Sequence, residues 1–151
     1  MKEAIVLALV KFASAYSGLP MPADGSLPIV QEEGIVLFSA ETCGPEVNPI
    51  ECDVLGYFDP DEGTIVHVSI SYPVLHPESD ATEEMIVVHE VTHWLQKKNN
   101  YHESTSCKDS YAREEQAYMV TNAYNRVVRG KITNWTVPFI CVRSPFSIGS
   151  P

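Results

Sequence analysis

Between Thr82 and Asn100 the chain carries an apolar run that contains two histidines four residues apart, His89 and His93, with Glu90 beside the first. Thr82 or Asp80 can cap a helix here. Glu83 and Glu84 suit the positive end of its dipole, Lys97 and Lys98 the negative end, and Asn99-Asn100 stops it. Met85, Ile86, Val87, Val88, Val91, Trp94 and Leu95 leave this helix little surface for solvent. The rest of the fold must therefore be built around it. Two histidines and a glutamate in such a helix need partners, because an unpaired buried polar group is costly.

Their spacing names the partner. Four helical residues advance about 400° and rise about 6 Å. His89 and His93 thus point the same way, one turn apart, and both imidazoles can reach one ion. H-E-x-x-H on a helix suits zinc, which takes nitrogen at about 2.0 Å and in catalytic sites has three protein ligands plus water. Glu90 is turned about 100° from His89. It serves better as general base toward a water activated between it and the metal than as a ligand.

The third ligand is expected on another helix. Ser110 to Arg129 reads as one, closed by Gly130. It carries two adjacent carboxylates, Glu114 and Glu115. Glu114 shares a face with Ala117, Tyr118, Thr121, Tyr124 and Val128, whereas Glu115 shares one with Met119, Asn122 and Arg126. The first set is the more core-like, so Glu114 is the expected ligand and Glu115 a solvated neighbour. His89, His93 and Glu114 would then hold one zinc ion per chain.

The remainder reads as a single α+β domain over residues 1–151. Residues 3–17 read as an N-terminal helix, with Ile5, Leu9, Phe12 and Tyr16 at helical spacing, Val6 and Ala13 beside them, and Gly18-Leu19-Pro20 as the stop. Ile29-Val30-Gln31 and Ile35-Val36-Leu37-Phe38 read as short strands split by Glu32-Glu33-Gly34. Val54–Phe58 and Thr64–Ile70 read as a β-hairpin around Asp59-Pro60-Asp61-Glu62-Gly63. That segment lacks the rest of a calcium loop and is read as a plain turn. Residues 72–80 form a loop, and the last twenty residues, with Pro138, Pro145 and Pro151, are irregular or a short strand. The expected sheet is small and mostly antiparallel.

Composition narrows the partners. A net charge of −10 and a pI near 4.8 speak against a nucleic-acid surface, which needs clustered Lys and Arg. No apolar run approaches the roughly 18 residues of a membrane span. Met1-Lys2 followed by Ala4–Val10 has the look of a short signal peptide, but Glu3 and Lys11 interrupt it, and a first helix fits better. The compartment stays open. Cys43, Cys52, Cys107 and Cys141 form no C-x-x-C pair. They allow two disulfides, with Cys43 to Cys52 and Cys107 to Cys141 the natural pairing, or four reduced thiols. Asn134-Trp135-Thr136 is a glycosylation sequon in a eukaryotic secretory setting.

His89-Glu90-Val91-Thr92-His93 followed by Glu114-x-x-Ala117-Tyr118 resembles the gluzincin zinc metallopeptidases, whose second helix often reads Glu-x-x-Ala-Asp. It is also similar to small zincin-like proteins of bacteria and phages. The resemblance implies a zincin-like fold and hydrolysis of a peptide or protein substrate, with His89, His93 and Glu114 as ligands and Glu90 as base. Tyr118 departs from the pattern: it stands where an Asp commonly orients a ligand histidine, and a phenol accepts that bond less strongly. Tyr101, His102, Tyr111 and Tyr124 are candidates by type for stabilising an oxyanion. Thr64–Ile70 is the expected counterpart of the edge strand that binds substrate backbone, and its His67 is read as an ordinary strand residue. A catalytically silent zinc-binding structural or interaction protein of the same fold is the alternative. Oligomeric state is not legible.

Overall fold

A computed structural model describes residues 1–48, 51, 54–61, 63–69 and 81–141. Cys52, Ile70, the expected loop 72–80 with Asp80, and Pro145 and Pro151 lie outside the described residues. The architecture is α+β. In chain order it comprises α1 (Glu3–Ser17), β1 (Ile29–Glu33), α2 (Ile35–Thr42), β2 (Gly56–Phe58), β3 (Ile65–Ser69), α3 (Glu83–Lys98) and α4 (Cys107–Val128).

The buried helix is α3, and everything else packs on it. Thr82 caps it by accepting a hydrogen bond from the Met85 amide at 3.4 Å. Val87, Val88, Val91, Trp94 and Leu95 are fully buried. α1 and α4 cover two of its sides and the sheet a third. α1 ends where glycine is required: Gly18 sits at φ 75°, a left-handed cap whose amide donates to the Ser14 carbonyl at 3.0 Å. Its buried stripe is Val6, Leu9, Val10 and Ala13, whereas Ile5 and Tyr16 are exposed. The face in use is rotated toward Val6 and Ala13, which flank the expected one, and the two share Leu9.

Two of the expected strands take other forms. Ile29 to Glu33 makes one continuous strand, and Ile35-Val36-Leu37-Phe38 begins a helix, α2, rather than a second strand. A four-residue apolar run fits either state, and periodicity alone does not separate them. The helix continues through Ser39 to Thr42, and its Phe38 is buried, with its ring 5.8 Å from that of Tyr57. The hairpin forms as expected, β2 antiparallel to β3 with Tyr57 opposite His67. Its connection is a plain turn in which the Asp59 carboxylate accepts from the Asp61 amide at 2.7 Å. β1 pairs parallel to β3, so the sheet is mixed, in the order β1-β3-β2, rather than mostly antiparallel. Val66 and Val68, fully buried, belong to the apolar core with α3, while His67 and Ser69 occupy the other face. There His67 is no ordinary strand residue. It is buried, pairs with Glu33 at 2.5 Å, and stacks on the Tyr57 ring at 4.4 Å.

α4 starts three residues earlier than the sequence suggests. Ser106 caps it by accepting from the Asp109 amide at 3.2 Å, and the cap draws Cys107 to Asp109 into the first turn. Its inward face carries Ala117, Thr121 and Tyr124, as the periodicity implies, although Val128 is exposed. After Gly130 the chain turns back along α4. Asn122 holds both backbone groups of Trp135, donating to its carbonyl at 2.8 Å and accepting from its amide at 3.0 Å. Cys141 closes the return in a disulfide with Cys107. Cys43 is disulfide-bonded as well. Among the described residues, Cys107 and Cys141 are thus paired as in the first of the two alternatives. Among the described residues no helix is long and apolar enough to cross a membrane.

Candidate metal centre

His89 and His93 project from the same side of α3 toward α4, where Glu114 meets them. The two Nε2 atoms are 3.3 Å apart. His89 Nε2 is 3.4 Å from one Glu114 oxygen, and His93 Nε2 is 3.3 Å from the other. Donors at 2.0–2.1 Å from a tetrahedral ion are separated by roughly 3.3–3.4 Å along each edge. The two nitrogens are thus spaced like neighbouring donors of a zinc tetrahedron, and the Glu114 carboxylate approaches each at the same range through a different oxygen. His89, His93 and Glu114 are a group that could hold a metal ion. Glu115 is exposed and outside the triangle, as the helical face argument requires.

The outer nitrogens decide which lone pairs face inward. Thr121 donates its hydroxyl to the Ala117 carbonyl at 2.9 Å, so toward His89 Nδ1, 3.3 Å away, it accepts. His93 Nδ1 lies 2.8 Å from Gln96 Oε1. The Gln96 amide nitrogen donates to the Arg113 carbonyl at 2.8 Å and to Gln116 Oε1 at 2.9 Å. Gln116 in turn donates to the Ser17 carbonyl at 3.1 Å. Both Nδ1 atoms therefore carry protons, so each ring, when neutral, aims an Nε2 lone pair at the same point, beside a carboxylate. Three acceptors facing one another at van der Waals range repel unless a positive charge lies among them.

The ionisation equilibria register that demand. Burial pushes the His93 imidazole down, but the hydrogen bond to Glu114 and the charges of Glu90 and Glu114 outweigh it and raise its pKa to about 9. Burial also opposes ionisation of Glu114. Hydrogen bonds and charge from His89 and His93 prevail there and hold its carboxyl well below the usual range. Glu90 moves the opposite way. Burial raises it, the histidine charges pull it down, and the Glu114 charge adds to the rise. A carboxylate poised upward, beside one held ionised, has the basicity a general base needs. The Phe58 backbone amide steadies the ionised form of Glu90.

The triangle opens into a cleft of about 1040 Å³. One wall is Leu55–Phe58 of the β2 segment, the floor is α3, and the far walls are Glu114 and Tyr118 of α4 and the returning segment Asn134–Thr136. The expected substrate strand is placed differently from the expectation. β3 is the central strand, paired on both sides, so it offers no free edge. The strand on the cleft is β2. Leu55 and Tyr57 pair with β3, which turns the backbone groups of Gly56 and Phe58 outward. Gly56 permits this closeness: a Cβ there would lie 2.7 Å from Ile86 Cγ2, 2.9 Å from the His67 carbonyl and 3.0 Å from Glu90 Cγ.

Among the four nominated oxyanion candidates, only Tyr101 lines the cleft. His102 is exposed and bonded to Asp109 at 2.8 Å, Tyr111 packs edge-on against Phe139, and Tyr124 is buried against Phe12. Tyr118 does not serve as the acceptor its position suggested. Its ring meets His89 edge to face, with centroids 4.7 Å apart, while the Thr121 hydroxyl accepts the hydrogen bond from His89 Nδ1. Burial, then the charges of Glu114 and Glu90, raise its phenol pKa. The orienting residues Gln96 and Thr121 were missed in the sequence. Their signal was present, since Gln96 lies three residues after His93 and Thr121 seven after Glu114, each on the ligand face of its helix.

The fold and the site together define an α+β protein with a three-donor centre able to hold a metal ion at the floor of an open cleft. No family model, curated protein or solved structure matches the chain.

Proposed function

We propose that this protein is a zinc-dependent peptidase of the gluzincin type, acting on a peptide or protein substrate. The observation that carries the reading is the His89–His93–Glu114 group, with the two Nε2 atoms at zinc-donor spacing and the carboxylate against both, open to a cleft that Glu90 also lines. Two histidines and one carboxylate are a catalytic rather than a structural donor set, because they leave a coordination position free. A zinc ion bound there supplies a Lewis acid that polarises the scissile carbonyl and acidifies water.

The protein groups supply the rest. Glu90 takes a proton from the attacking water and later delivers it to the leaving amine, a role suited to a carboxylate whose pKa is raised. Gln96 and Thr121 hold the ligand imidazoles in one tautomer and orientation. The outward-facing Gly56 backbone and Phe58 carbonyl of β2 offer an extended peptide groups to pair with, the Phe58 amide being held by Glu90, which supports a peptide rather than a small compact substrate. Tyr57, Phe58 and Trp135 give the cleft apolar and aromatic surface for side chains.

The deciding experiment uses zinc-loaded protein and a mixture of fluorogenic peptides. Glu90→Gln keeps the metal and loses at least about a hundredfold in hydrolysis if Glu90 is the base. Equal activity in wild type and Glu90→Gln would overturn the proposal. A protein that holds zinc but cleaves nothing would support the silent zinc-binding alternative.

A further inference from the structure

We propose that Tyr118 is a catalytic residue of this hydrolysis, donating its phenolic hydrogen bond to the oxyanion formed when water adds to the scissile carbonyl. The inference rests on the peptidase reading above. Tyr118 lies one helical turn after Glu114 and lines the cleft. Its ring stands at 65° to that of His89, so ligand and phenol are in direct contact. Its hydroxyl bonds no other described residue and is not a buried unpaired atom, so it is open to the cleft solvent. Orientation of the ligands does not occupy it, since Thr121 and Gln96 do that work, so it is free to donate into the cleft. A donor left without a protein partner at a metal-ligand ring is placed for the substrate. Arg113 also lines the cleft, but its guanidinium already donates to the His102 and Ser104 carbonyls and the Ser110 hydroxyl.

The step balances within these groups. The water oxygen bonds to the carbonyl carbon, its proton passes to Glu90, and the carbonyl electron pair moves onto oxygen. Tyr118 donates a hydrogen bond to that oxyanion and keeps its proton. On collapse the C–N bond breaks, and the amine nitrogen takes the proton from Glu90. A donor aimed at developing charge contributes about 10²–10³-fold in rate.

Tyr118→Phe removes the hydroxyl and keeps the ring against His89. In zinc-loaded protein the expected result is a fall of about a hundredfold in kcat, with zinc content unchanged and KM within about threefold. A second readout is calorimetric binding of a phosphinic peptide, whose tetrahedral oxygens mimic the oxyanion. Its affinity should weaken about tenfold or more in Tyr118→Phe. If kcat and phosphinic-peptide affinity both stay within about threefold of wild type, the proposal is overturned. Glu90→Gln separates the two failures: an inactive Glu90→Gln with a fully active Tyr118→Phe sinks the Tyr118 role alone. Wild-type protein that neither cleaves peptides nor binds the phosphinic peptide sinks both.

Discussion

Proton competition at His93 offers the sharpest check on the site. In the metal-free protein the Glu114 hydrogen bond and the nearby carboxylates raise His93 to about pH 9. At pH 8 that imidazole is then about nine-tenths protonated, and an ion must displace the proton to bind. Each pH unit below about 9 should cost about tenfold in apparent zinc affinity, so moving from pH 8 to pH 6 should cost about a hundredfold from His93 alone. The same shift has a stability sign. Because the folded value lies above the unfolded one, the His93 proton stabilises the metal-free fold fully below about pH 6.5, and that contribution is lost as pH rises through about 9. Titration against a chromophoric chelator at fixed ionic strength measures the affinity slope. Calorimetry in buffers of different ionisation enthalpy counts the protons, with about one released per ion at pH 7–8. Zero protons released at pH 8, with affinity flat down to pH 7, would show that His93 is neutral before the metal arrives and would refute the electrostatic account of the triangle.

Two further outcomes follow from the geometry. Glu114→Gln should weaken zinc by more than the roughly 10–100-fold that loss of a supporting partner costs, and should lower the His93 pKa. Glu115→Gln, at an exposed position outside the triangle, should stay within about twofold by the same chelator titration. The reverse ranking would move the ligand one residue along α4. Gly56→Ala should destabilise by about 1–3 kcal/mol in denaturant unfolding, because its Cβ meets the His67 carbonyl and Ile86 at distances that need a backbone shift. It should keep its zinc, since the ligands sit on α3 and α4, while hydrolysis falls as Glu90 moves. An unchanged midpoint would mean that strand and helix are less closely packed than the structure has them.

What could be read from the chain were features confined to one helix. The start of α1 and its glycine stop, the Thr82 cap of α3 and the facing of His89 and His93 all depend on periods and end signals a few residues long. The choice of Glu114 over Glu115 followed from the same 100° step, because a helix assigns faces before it meets a partner. The α2 segment defeated the reading for the opposite reason: four apolar residues carry no period, and the Phe38 contact with Tyr57 that accompanies the helix comes from another element.

Strand order, and with it the identity of the edge over the candidate site, was decided only in three dimensions. β3 looked like the substrate strand in isolation, but β1 and β2 flank it and leave β2 at the cleft. The same holds for the pairing of Glu33 with His67 and for the chain from His93 through Gln96 and Gln116 to Ser17, whose members lie up to 99 residues apart. Local sequence determines which way a side chain leaves its own helix or strand. Which groups then stand 3 Å apart depends on how the elements pack, and packing is a property of the whole apolar core around α3.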